Sequence, residues 1–227
     1  MTRCRALRTF AVVVGLAAAM AGAACGRASA ASPFPDPAVD DALGTGPDVA
    51  TAVVAGGCFW GIESVFEHVK GVTDAVSGYS GGPAMSAKYE MVETGGTGHA
   101  ESVKVTFDPS RITYGQLLKV FFAVAHDPTQ LNRQGPDTGP QYRSVVFYAN
   151  PRQKEIAERY ISQLGEARRF SRPIVTQLVA LQAFYPAEAY HQDYAFHHPN
   201  APYIMINDRP KVYDLKREYP GLYFEPR

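Results

Sequence analysis

Thr51-Ala52-Val53-Val54-Ala55-Gly56-Gly57-Cys58-Phe59-Trp60-Gly61-Ile62 changes its hydrophobic period half-way along. Thr51 to Ala55 is a short run with the composition of a buried strand. From Phe59 the apolar positions fall at Ile62, Val65, Phe66 and Val69, a helical spacing that Gly71 ends. The two glycines between strand and helix allow a tight turn without side chains in the way. Cys58 thus stands at a helix start, where free backbone N–H groups and the positive end of the helix dipole favour a thiolate. A buried structural cysteine is the alternative; the helix-start position, beside aromatic residues and glycines, favours a nucleophile. Trp60 is the only tryptophan in the chain.

Outward from this stretch, Val72 to Tyr79 reads as a strand closed by the turn Ser80-Gly81-Gly82-Pro83. Residues 101 to 107 alternate: Glu101, Val103, Val105 and Phe107 share one face, Ser102, Lys104 and Thr106 the other. Glu101 therefore points toward the core, where burial raises a carboxyl pKa and keeps it a proton donor. The competing possibility is that it reaches solvent at the strand's first position. Thr113 and Gln116 form a capping-box pattern, and Asp127-Pro128 ends the helix it opens. Residues 129 to 141 form a long polar loop of the kind that often carries function. Val145 to Tyr148 and Ile174 to Leu181 read as strands, and Asn150-Pro151 caps a helix between them. Short helices are expected around 187–197 and 210–218. Strands and helices mix without strict alternation. The fold class is α+β: a two-layer sandwich, its mixed or antiparallel sheet covered by helices, with a ferredoxin-like core.

Toward the N-terminus, Arg3, Arg5 and Arg8 precede an apolar stretch from Phe10 to Ala24 and then Ala28-Ser29-Ala30. That is the pattern of a secretory signal peptide over 1–30, and it predicts an exported, periplasmic or extracytoplasmic protein. The apolar stretch is short of the roughly 20 residues that a membrane span needs. A retained anchor and a lipid-modified Cys25 are the alternatives; Gly22 stands where a bacterial lipobox usually has an aliphatic residue. Residues 31–50, with Pro33, Pro35, Pro37 and Pro47, read as a disordered lead, and 51–227 as one domain. Removal of 1–30 takes away Cys4 and Cys25 and leaves Cys58 alone. It also removes four arginines and no acid, changing a neutral chain to a net −4. Nothing in that balance suggests a nucleic-acid or anionic-membrane surface. The histidines His68, His99, His126, His191, His197 and His198 show no metal-ligand spacing and read mostly as caps or surface residues.

Four motifs give the chain a family resemblance. Gly57-Cys58-Phe59-Trp60-Gly61, Gly78-Tyr79-Ser80-Gly81-Gly82, Gly98-His99-Ala100-Glu101 and Gln141-Tyr142-Arg143-Ser144 stand in the order and spacing of the A-type peptide methionine sulfoxide reductases. The resemblance runs from about Ala52 to Tyr223. It implies reduction of the S epimer of methionine sulfoxide, free or in oxidised proteins, by an α+β domain without metal, flavin or nucleotide. By resemblance Cys58 attacks the sulfoxide sulfur and Glu101 protonates its oxygen. Tyr89 and Tyr142 hydrogen-bond that oxygen, Asp137 belongs to the loop beside the site, and Phe59 and Trp60 receive the S-methyl group. One departure matters. Many members carry resolving cysteines in a C-terminal tail, and Pro199 to Arg227 has none. The sulfenic acid left on Cys58 then needs an external thiol, thioredoxin-like or small. A monomer is expected. The competing classes are a cysteine hydrolase, which needs a histidine beside Cys58, and a non-catalytic redox sensor or methionine-binding module.

Overall fold

The computed structural model describes residues 34–44 and 48–225; the signal segment expected at 1–30, with Cys25, lies outside them. Six strands form the main sheet: β1 (Ala50–Ala55), β2 (Val72–Ser80), β3 (Ala100–Phe107), β6 (Val145–Tyr148), β7 (Gln177–Ala180) and β8 (Tyr185–Pro186). Their order is β7-β6-β1-β3-β2-β8, antiparallel except for β6 with β7. The helices are α1 (Phe59–Glu67), α2 (Tyr89–Val92), α3 (Tyr114–Val120), α4 (Pro151–Glu166), α5 (Tyr194–His197) and α6 (Arg209–Glu218). The four central strands β6-β1-β3-β2, with α1 joining β1 to β2 and α3 lying between β3 and β6, make the expected ferredoxin-like core.

Strand β1 is apolar without a break from Ala52 to Ala55, because both its faces are covered there. Ala52 and Val54 join Val103, Val105 and Phe107 of β3 against Ile62, Val65, Phe66, Leu117, Ile156 and Tyr160 of the helices. Val53 and Ala55 pack on the opposite face with Val145 and Phe147, under Val179, Leu181 and Phe184. The Thr113 capping box forms as its sequence demands: Gln116 N–H donates to Thr113 Oγ1 at 3.1 Å and Thr113 N–H to Gln116 Oε1 at 3.0 Å.

Four expectations need correction. The lead is ordered from Phe34 to Gly44. Phe34 enters the core, Tyr160 donates its hydroxyl to Pro35 O at 2.7 Å, and Asp40 accepts the N–H of Gly115 at 2.9 Å. A few anchors hold a segment whose prolines alone read as a linker. The polar loop has structure of its own, a two-stranded hairpin of β4 (Arg133–Gln134) and β5 (Asp137–Thr138). The strand expected over 174–181 shrinks to the four residues that pair with β6. The helix expected over 187–197 breaks, because Gln192 is extended and Asp193 is left-handed at φ 51°. Gln192 is held there by Ser77, whose N–H donates to its Oε1 and whose carbonyl accepts from its Nε2, both at 3.0 Å.

Candidate active site

Cys58 is the N-cap of α1, at the junction that the sequence places between strand and helix. Two glycines shape that junction. Gly57 has φ +111°, and a Cβ there would lie 2.5 Å from Gln134. Gly61, with no side chain, lets the Asp208 carboxylate and the Lys211 ammonium close onto the first turn of α1. Asp208 is fully buried and pairs with Lys211 at 3.1 Å, while its Oδ2 has no partner among the described residues.

Glu101 lies inward on β3, as strand parity requires, and is 2 % exposed. Its Oε2 accepts the N–H of Phe59 at 3.1 Å, which puts the carboxyl beside the residue after Cys58. Burial pushes its pKa up to about 8; the Phe59 N–H opposes the shift, and the charges of Asp137 and Asp208 add to it. At neutral pH it is a carboxylic acid. With Oε2 accepting from the backbone, the proton belongs on Oε1.

The expected resting thiolate is not what the surroundings favour. Burial, then the carboxyl groups of Glu101 and Asp208, hold the Cys58 thiol well above its ordinary value. The Trp60 backbone N–H and the Lys211 ammonium pull the other way and are outweighed. The helix start is present, but desolvation beside two acids is the larger effect. The resting site is loaded with protons at both sulfur and carboxyl.

Two phenols face the same charges. Burial, with Glu101 and Glu93 near, pushes Tyr89 up to about 12, and burial with Glu101 and Asp137 raises Tyr142. Cys58 contributes to both shifts. Both are neutral hydroxyl donors close to the sulfur. Asp137, in β5, accepts the hydroxyl proton of Tyr203. Glu101, Tyr89 and Tyr142 thus share the field of Cys58, and Asp137 that of Glu101 and Tyr142.

The aromatic pair divides. Phe59 is 1 % exposed and packs on Tyr79 and His191, with ring centres 5.9 and 5.1 Å away. It packs with Cys58 in the main core. Trp60 is half-buried, stacks on Tyr194 at 3.8 Å and meets Tyr203 edge-on at 5.9 Å.

Sequence reasoning missed Tyr203, Asp208, Lys211 and His191. All come from the segment between β8 and the end of α6, remote in sequence, and only Asp208 carried a signal, that of an ordinary helix start before Arg209-Pro210. It also misplaced histidines: His99, His126 and His191 are buried. His126 is pushed down to about 4 by burial, and its two ring nitrogens meet Phe121 O and Ser144 Oγ. His99 is likewise engaged, by Gly82 N and Pro83 O. Among the described residues no histidine bonds to Cys58, so the dyad a cysteine hydrolase needs is not formed. A cleft of about 890 Å³, lined by Glu67, His68, Asp74 and Tyr213 among others, contains none of these groups. Chemistry, not volume, places the site at Cys58.

The family model described as peptide methionine sulfoxide reductase matches residues 50–221. The chain belongs to that family. The reductase is 59% identical over 179 residues to peptide methionine sulfoxide reductase MsrA 2 of Mesorhizobium japonicum, covering 79% of this chain and 92% of the relative. Among solved structures it resembles Mxr1 of Saccharomyces cerevisiae in reduced form, with a TM-score of 0.62, 30% identity and coverage of 68% and 88%. It also resembles methionine sulfoxide reductase A of Corynebacterium diphtheriae, with a TM-score of 0.59, 36% identity and coverage of 75% and 86%. The reductase is accordingly a thiol-dependent oxidoreductase of methionine sulfoxide with the α+β fold of its relatives.

Proposed function

We propose that the reductase acts on the S epimer of methionine sulfoxide, free and in oxidised proteins, through Cys58 and Glu101. The observation that carries this reading is the Glu101 carboxyl, kept neutral by burial and bonded to the N–H of the residue after Cys58. Cys58 Sγ attacks the sulfoxide sulfur while Glu101 gives its proton to the sulfoxide oxygen. The resulting carboxylate takes the proton that the thiol loses. The sulfur–oxygen bond then breaks as the oxygen passes to Sγ and the bond between Sγ and the methionine sulfur opens: methionine leaves, reduced by two electrons, and Cys58 is left as a sulfenic acid, oxidised by two. Tyr89 and Tyr142 donate hydroxyls to the same oxygen, Asp137 fixes Tyr203 at the rim, and Trp60 receives the S-methyl group over Phe59. Polar donors on one side and rings on the other sort the epimers.

Recycling uses an external thiol. Cys58 is the only free cysteine among the described residues, and the tail after Pro199 has no other. A thioredoxin-like or small thiol attacks the sulfenic sulfur, releases water and forms a mixed disulfide; a second thiol frees Cys58. The pattern over 1–30 supports export. The test supplies each epimer with dithiothreitol. Methionine from the S epimer alone, and none from Cys58→Ser, is expected. Equal turnover of both epimers, or activity in the serine variant, would sink the assignment. One equivalent of substrate without thiol should add one oxygen at Cys58, trapped by dimedone.

A further inference from the structure

Asp208 ends the π-helical turn Ile204–Asp208 and is the N-cap of α6. An aspartate at that position ordinarily accepts an N–H from its own helix. This one makes no cap; its side chain lies instead under the first turn of α1. It is fully buried, its Oδ1 accepts from Lys211 Nζ at 3.1 Å, and its Oδ2 has no partner among the described residues. Lys211 follows it to the same place: a Cβ on Gly61 would meet the carboxylate and lie 2.7 Å from Lys211 Nζ. Gly61 is three residues after Cys58, which opens that turn. A buried, half-satisfied carboxylate costs stability, and here it does not even cap its helix. Its distinction is its place beside the nucleophile.

We propose that Asp208 is a positioning residue of the reductase site, its carboxylate holding back negative charge on Cys58 Sγ so that the sulfur attacks a sulfoxide in preference to other electrophiles. The inference rests on the roles given above to Cys58 and Glu101. A sulfoxide brings an oxygen that takes the Glu101 proton, and the carboxylate so formed accepts the proton of the thiol. An electrophile without such an oxygen must wait for a free thiolate, which a neighbouring carboxylate disfavours. The groups facing Cys58 are Glu101 from β3, Asp208 and Lys211 from the C-terminal segment, and the phenols of Tyr89, Tyr142 and Tyr203. Those facing Asp208 are Lys211, Cys58, Glu101, Tyr203 and Asp137 of β5. Lys211 also faces His126, which burial keeps neutral. Burial and Glu101 raise the thiol most, Asp208 raises it further, and Lys211 lowers it by less. The ion pair is a brake on the sulfur whose strength Lys211 limits.

The experiment alkylates the substrate-free protein with iodoacetamide between about pH 6 and 10, with mass spectrometry of the Cys58 peptide as the readout. Wild type, Asp208→Asn and the double variant Asp208→Asn/Lys211→Met are compared. The plateau at high pH reports access to the sulfur and the midpoint reports its charge, so a change of packing alone moves only the plateau. Asp208→Asn is expected to lower the midpoint and to speed alkylation at pH 7.5 by about three- to tenfold. The double variant is expected between Asp208→Asn and wild type. Single-turnover reduction of methionine sulfoxide should rise by less than about twofold in Asp208→Asn, so that the preference for sulfoxide over iodoacetamide falls. A midpoint unmoved or raised in Asp208→Asn would overturn the proposal. So would a double variant alkylated no more slowly than Asp208→Asn, or sulfoxide reduction that quickens in step with alkylation. If Asp208→Asn does not fold, Asp208→Leu/Lys211→Met, an apolar replacement of the whole pair, decides by its midpoint: below wild type supports the proposal, equal or above overturns it. The alkylation arm needs no turnover, so failure of the reductase reading and failure of the Asp208 assignment are distinguishable.

Discussion

Glu101→Gln is expected to stabilise the protein while disabling it. The amide keeps an oxygen to accept the Phe59 N–H and an N–H₂ in place of the acid O–H, but it cannot ionise. In the native protein the Glu101 pKa is about 8, against 4.5 for an unburied carboxyl. Between those values the folded state holds a proton that the unfolded chain releases, so rising pH favours unfolding. The stability is fully present below pH 4.5, is lost progressively as pH rises toward 8, and changes no further above it. Each pH unit in that window is worth about 1.4 kcal/mol. At pH 7 the wild type is therefore weakened by about 3 kcal/mol that Glu101→Gln does not lose. Urea unfolding of both proteins at several pH values, with equal m-values, measures the difference directly. The stability gap should be near zero at pH 4, grow toward pH 8 and then level. Activity should move oppositely, with the chemical step slower by ~10²-fold or more. In the wild type the rate should decline above about pH 8, where the acid loses its proton. A gap independent of pH, or a glutamine variant less stable at pH 7, would refute the idea that burial keeps this carboxyl protonated.

Tyr142→Phe removes a hydroxyl and leaves the packing; kcat should fall about tenfold with an unchanged melting temperature, and a large thermal loss instead would make the phenol structural. Gly61→Ala drives a methyl into the Asp208–Lys211 pair and should cost about 1–3 kcal/mol in chemical denaturation; a neutral result would show that the pair moves away freely. Phe34→Ala should cost about 3 kcal/mol, whereas a disordered lead would lose nothing.

The parts of this fold legible in the sequence are those whose determinants are local. The strand–turn–helix around Cys58, the capping box at Thr113 and the inward face of Glu101 depend on residues within a few positions of one another. The charge of Cys58 does not. It is set first by burial and then by Glu101, with Asp208 and Lys211 adding smaller opposed effects from a C-terminal helix that no local pattern announces. Helix-start reasoning weighs the N–H groups correctly and omits desolvation, which is larger. His191 was hidden for the same reason: its partner Trp60 lies 131 positions away in the chain. The motif resemblance supplied Tyr89, Tyr142 and Asp137, which periodicity alone would have left as loop and core residues.

The docked lead separates two boundaries usually taken as one. The match to the family model begins at residue 50, but the segment that folds with the sheet begins at Phe34. A truncation at the similarity boundary removes the Asp40 carboxylate from the N–H of Gly115, the Pro35 carbonyl from the Tyr160 hydroxyl and the Phe34 ring from its seat. Two of these losses fall on α3 and α4 and the third on Arg169 and Phe170 just after α4, leaving β1 and the Cys58 turn intact in sequence. A protein cut there would display every motif of the family on a destabilised outer layer, and its heat sensitivity would belong to the cut.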